Sequence, residues 1–171
     1  MLNEKIFYLL NNFAGKNPIF DVFFIFGARF LIILFFVFCI LFLFKISKKA
    51  FLTLIFSLVL ATLANQLFRF FLPIDRPFVG REVNLLFFPP QDPSFPSNHA
   101  TLAASVAFLM FFYQKRVGFL AVLIAILIGL ARIFVGVHWP TDVLAGLVLG
   151  FLVAFAAKKI LDYVGLTEDS I

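Results

Sequence analysis

Five apolar stretches divide the chain, over residues 30–44, 51–68, 100–113, 117–135 and 143–157. Crossing ~30 Å of hydrocarbon takes roughly 20 helical residues, with about 17 as the lower end. The first, third and fifth stretches reach that length only if polar flanks extend them: residues 21–29, 97–99 and 140–142 respectively. No alternating strand pattern is visible, so helices are the only way to satisfy the backbone in lipid. The pattern predicts an all-α, polytopic membrane bundle of five transmembrane helices, or six if another span lies within the first 28 residues. Residues 2–14 place Ile6, Leu9, Leu10 and Phe13 at helical spacing, which predicts a short amphipathic helix in the interface, ending near Gly15.

Composition agrees with the pattern. Of 171 residues, 63% are hydrophobic and 13% charged, against about 45–50% and about 25% in a soluble domain. A water-soluble or disordered chain is excluded, because neither can carry so much apolar surface with so little charge. We expect one membrane-embedded domain over residues 1–171, with 1–28 as an interfacial segment and 69–98 as a long connection. The formal charge of +5 is not gathered into a stripe for nucleic acid. Lys45, Lys48, Lys49, Lys115, Arg116, Lys158 and Lys159 instead follow alternate spans. Five spans put all seven on one side, which the bias of short basic loops assigns to the cytoplasm, with the C-terminus. The first 13 residues, with Glu4 and Lys5, do not read as a cleaved signal peptide. A lone Cys39 allows neither an internal disulfide nor a Cys-based zinc site.

The connection over 69–98 holds six of the eight prolines, and long structureless loops are often functional. Around it, Arg69, Arg76, His99, Arg132, His138 and Asp142 all fall at the opposite, extracytoplasmic ends of the spans. Taken singly each has a plain explanation. Arg69 and Arg132 can snorkel to headgroups, His99 can bond a carbonyl, and Asp142 can sit at a helix N-terminus. Separate causes do not explain why all six, including both histidines of the chain, share one depth. Ionisable groups near hydrocarbon are costly and mark function.

Three guanidiniums suit phosphate oxygens, which they bind in forks at any relevant pH. Ser97-Asn98-His99 at a helix start adds a hydroxyl and backbone N–H donors. One histidine can attack phosphorus while a carboxylate on its other nitrogen fixes the tautomer, and the second can act as acid and base. No carboxylate cluster for Mg²⁺ and no multi-histidine zinc set accompanies them, so phosphoryl transfer without metal or cofactor is expected.

In order, Arg69-x6-Arg76-Pro77, Pro96-Ser97-Asn98-His99 and Ala131-Arg132-x5-His138-x3-Asp142 resemble the signature of the type-2 phosphatidic acid phosphatase and vanadium haloperoxidase superfamily. That signature reads Lys-x6-Arg-Pro, Pro-Ser-Gly-His and Ser-Arg-x5-His-x3-Asp, and the likeness covers roughly residues 50–157. It implies that His138 is the nucleophile, Asp142 its partner and His99 the acid/base, with Arg69, Arg76, Arg132, Ser97 and the Asn98 backbone binding phosphate. It further implies a bacterial inner-membrane lipid phosphatase with its site facing the periplasm or exterior. Its substrates would be undecaprenyl diphosphate, phosphatidylglycerol phosphate or lipid A 1-phosphate. A lipid phosphotransferase using the same phosphohistidine, or a phosphatase for soluble sugar phosphates, stays open. The departures are Arg69 for Lys, Asn98 for Gly and Ala131 for Ser. Arg69 would offer phosphate a planar fork in place of a point donor. The run Leu85-Leu86-Phe87-Phe88-Pro89-Pro90 either dips into the interface or packs on the bundle, and Asp75, Arg81 and Glu82 are expected to solvate the loop.

Overall fold

The computed structural model describes residues 2–89 and 91–164. Among them are seven helices and no strand: α1 (Leu2–Asn11), α2 (Pro18–Arg29), α3 (Leu31–Ile46), α4 (Lys48–Phe71), α5 (Asn98–Tyr113), α6 (Lys115–Phe134) and α7 (Pro140–Tyr163). Local chemistry sets the boundaries. Pro18 opens α2, and the Asn17 side chain accepts from the N–H groups of Ile19 and Phe20. Ser47 and Gln114 are one-residue corners that cap the following helix. Ser47 Oγ accepts from Ala50 N at 3.0 Å and Gln114 Oε1 from Val117 N at 2.8 Å. Both corners carry lysines, and α7 brings its last turns to the same end. There Lys49 pairs with Asp162 at 2.9 Å, and the Thr53 and Tyr113 hydroxyls lie 3.0 Å apart.

At the centre, α5 packs against α4, α6 and α7. Its buried Ala100 and Ala104 meet Gly146 and Gly150 of α7. A Cβ on Gly150 would lie 2.4 Å from the Thr101 carbonyl oxygen. Close backbone contact through small residues is how helices pair in lipid, where apolar burial gives little drive. Leu54, Val106, Met110, Ala125 and Ile128 fill the interior. Outward, α4 exposes Leu63, Leu67 and Phe70 and α7 exposes Leu144 and Leu152, the surface expected of a lipid-facing bundle.

By length and composition α4, α6 and α7 are membrane-spanning candidates, and α2 with α3 makes a fourth as a bent pair. The third apolar stretch, even with its flank, becomes a 16-residue α5 of about 24 Å. It is the bundle's central helix, so its neighbours rather than lipid cover most of it. The flank 21–29 does not simply lengthen the first span; it forms α2, bent 45° from α3. The cause lies far along the chain: Arg132 Nη1 donates to the Ala28 carbonyl at 2.9 Å, a carbonyl that a continuous helix would use. Gly27 lets α2 lean on α6, since a Cβ there would be 3.1 Å from Ala131 Cβ.

The N-terminal helix is amphipathic in an unexpected sense. Leu9 and Phe13 are exposed, while Phe7 and Asn11 are fully buried against the end of the bundle. The Phe7 ring lies 5.0 Å from that of Trp139. The helix ends at Asn11, short of Gly15, and tight turns with backbone bonds such as Ala14 N–H to Asn11 O carry the chain on to Gly15. The expected position of the C-terminus falls on residues 165–171, outside the described residues.

Candidate active site

Every residue singled out in the sequence lies at the end of the bundle away from the lysine-bearing corners. Arg69 stands in the last turn of α4 and Arg76 on the connection that follows. Ser97, Asn98 and His99 open α5, Arg132 ends α6, His138 lies between α6 and α7, and Asp142 is in the first turn of α7. Gly136, at φ +86°, turns the chain sharply out of α6 and into the segment bearing His138.

His138 is 1% exposed. Its Nδ1 lies 3.4 Å from Asp142 Oδ2 and its Nε2 lies 3.4 Å from Arg76 Nη1. Asp142 is fully buried, and the same oxygen accepts from the Trp139 N–H at 2.8 Å, which fixes the carboxylate at the helix start. Burial first, and then the charges of Arg132 and Arg76, hold the His138 imidazole well below the ordinary histidine pKa. The ring is therefore neutral at neutral pH and keeps a lone pair.

Around it, Arg76 is 4% exposed, and its Nη1 donates to the Val137 carbonyl at 2.9 Å. Arg69 Nη2 donates to the Pro96 carbonyl at 3.4 Å. Ser97 is an N-cap whose hydroxyl does not cap. Among the described residues, four buried side-chain polar atoms have no partner within the protein: Arg69 Nε, Ser97 Oγ, Arg132 Nε and Asp142 Oδ1. Buried polar groups are nearly always paired, so each such atom needs a reason. Three of the four can donate, and they come from three separate segments. The His99 side chain is half-buried. Among the described residues, no group of three or more His, Cys, Asp or Glu side chains is placed to hold a metal ion.

The family model for the PAP2 superfamily matches residues 50–165. The chain belongs to the PAP2 superfamily. An undecaprenyl-diphosphatase of Sulfolobus acidocaldarius is 34% identical over 71% of this chain and 60% of its own length. Undecaprenyl-diphosphatase BcrC of Bacillus subtilis is 40% identical over 47% of this chain and 42% of its own. The chain thus spans about half the length of these curated relatives. Among solved structures, LpxE of Aquifex aeolicus superposes with a TM-score of 0.81 at 33% identity, over 93% of this chain and 96% of that one.

Several residues around this cluster had no sequence signal. Asp92 binds both Arg69 and Arg76, its carboxylate oxygens shared between them. Asn11 Nδ2 donates to the carbonyls of Asn84 and Phe134, and Asn11 Oδ1 accepts from Asn84 N at 2.9 Å, tying α1 to the end of α6. Asn65 Nδ2 donates to Thr101 Oγ1 at 3.0 Å beside the start of α5. Phe87 takes the Arg29 and Arg132 guanidiniums at 5.1 and 5.7 Å. Leu85, Leu86 and Phe87 pack on Ala28, Phe134 and Val135, while Phe88 points out at 95% exposure; Pro90 lies outside the described residues. Of the loop's charged residues, Arg81 lies 5.1 Å over the Trp139 ring, while Asp75 and Glu82 are exposed and bond through their backbone carbonyls. A cleft of about 540 Å³ lined by Asp75, Arg76, Phe78, Gln91 and Asp92 opens beside the site.

Arg69 holds Asp92 through Nη1 and the Pro96 carbonyl through Nη2, and its Nε has no partner among the described residues.

Proposed function

We propose that this chain is a metal-independent lipid phosphatase that works through a phosphohistidine. The observation that carries the proposal is the set of unpartnered buried donors, Arg69 Nε, Ser97 Oγ and Arg132 Nε, around a buried neutral His138. A phosphoryl group meeting these donors has its oxygens held and its phosphorus near His138 Nε2. Asp142 at Nδ1 favours the tautomer whose Nε2 lone pair is free to attack, and steadies the positive charge that forms. His99 protonates the departing oxygen and then takes a proton from the water that releases phosphate. The guanidiniums stabilise the charge that spreads over the equatorial oxygens.

A lipid substrate follows from the setting. An apolar outer surface seats the bundle in a bilayer, and the site lies at one end of it, at headgroup depth. With the basic corners in the cytoplasm, the site faces outward and the chain crosses five times, α5 included. The names of the relatives make undecaprenyl diphosphate the first substrate to test, with phosphatidylglycerol phosphate and lipid A 1-phosphate beside it. Purified protein is assayed for phosphate release from these lipids and from glucose phosphate, with and without chelator. Release from lipid that persists in chelator is expected. Release from glucose phosphate alone, or activity lost to chelator and restored by Mg²⁺, contradicts the reading.

A further inference from the structure

Asp92 lies on the proline-rich connection, outside the three signature segments, yet it joins the two arginines of the first. One carboxylate oxygen pairs with Arg69 Nη1, and the other accepts from Arg76 Nη2 at 2.7 Å. Its backbone carbonyl accepts from Arg76 Nε at 2.9 Å. One whole edge of Arg76 is thus held by a single residue, and the remaining nitrogen, Nη1, donates one N–H to the Val137 carbonyl at 2.9 Å and lies 3.4 Å from His138 Nε2. Arg69 is treated alike. With Nη1 on Asp92 and Nη2 on the Pro96 carbonyl, Nε is the one nitrogen left without a partner.

Partial burial alone pushes the Asp92 carboxyl up, but the hydrogen bond and charge of Arg76 and the charge of Arg69 outweigh it. The group lies below the usual carboxylate range and is ionised. Neither of its carboxylate oxygens bonds the unpartnered donors Arg69 Nε, Ser97 Oγ and Arg132 Nε, although its charge also reaches Arg132. A guanidinium has five donors in a rigid plane, where an ammonium is a point donor on a flexible stem. An arginine at the position where the superfamily signature has lysine therefore needs its plane set by something.

We propose that Asp92 is a positioning residue for phosphate. It grips Arg69 and Arg76 by their outer edges, so that Arg69 meets the anion through one aimed N–H and Arg76 through the nitrogen beside His138. The consequence for turnover rests on the phosphatase reading; the consequence for anion binding does not.

The test uses the full chain, purified, with Asp92→Asn, Asp92→Ala and Arg69→Lys alone and combined. Two readouts are taken: the rise in Tm with added orthophosphate, and kcat and KM on a lipid phosphate. Removing a negative charge would by itself tighten anion binding, so the direction of the change decides the matter. Asp92→Asn, which keeps the size of the side chain, is expected to weaken orthophosphate binding and raise KM about tenfold with a smaller change in kcat. In the Arg69→Lys background the same change is expected to cost less, about threefold, because an ammonium has no plane to set and only Arg76 then depends on Asp92. Tighter orthophosphate binding in Asp92→Asn would make Asp92 a competitor of the substrate and overturn the proposal. So would an equal loss in both backgrounds. If orthophosphate binding depends on Asp92 as expected but no lipid is hydrolysed, the phosphatase reading fails and the role of Asp92 stands.

Discussion

His138 and Asp142 sit four residues apart across a helix start, a spacing that leaves the carboxylate two jobs at once. One oxygen fixes the Trp139 N–H and faces the imidazole, and the other is buried without a partner. Asp142→Asn keeps the size but presents an amide to Nδ1, which disfavours the tautomer that attacks. A fall in kcat of roughly a thousandfold, with little change in Tm, is expected from steady-state kinetics and thermal melts; near-normal kcat would mean that Asp142 only caps α7. The residues of this machinery were legible in the sequence because they are polar punctuation in an apolar text, and three spaced segments carried them. Asp92 and Asn11 were not. Their partners lie 16 and 23 positions away for Asp92, and 73 and 123 for Asn11, and no local pattern encodes a hydrogen bond over such a distance. Arg69 was visible, but what its nitrogens bind was not.

Helices were legible to within a few residues where an apolar run met a capping side chain, as at Ser47 and Gln114, or a proline at the first helical position, as at Pro140. The break between α2 and α3 was hidden because a side chain from α6 causes it. The helix contacts were hidden too. Gly146 and Gly150 let α7 approach α5 closely enough that a Cβ at Gly150 would meet backbone at 2.4 Å. That contact sets where Asp142 lies relative to Ser97, whose N–H donates to the Asp142 carbonyl at 3.0 Å. Gly150→Leu is therefore expected to destabilise the fold by about 2–3 kcal/mol and to lower Tm. An unchanged melt would show that α5 and α7 do not pack this way.

The molecule as a whole has two unlike ends. One carries the lysine corners and the Lys49–Asp162 pair; the other gathers guanidiniums, imidazoles and the loop, with α1 lying across it. Such polarity suits a chain that reads its substrate in one leaflet. A cysteine placed at Gly80, on the exposed part of the loop, is expected to react with a membrane-impermeant thiol reagent in intact cells, with Cys39 buried and silent. Protection of that cysteine would reverse the orientation. The central claim is that His138 takes the phosphoryl group. Substrate carrying labelled phosphorus, quenched in base within one turnover, is expected to leave acid-labile, base-stable label on the wild-type chain at His138. None is expected on His138→Ala, which should also release no phosphate although it folds. Turnover by His138→Ala, or label on any other residue, would contradict the account.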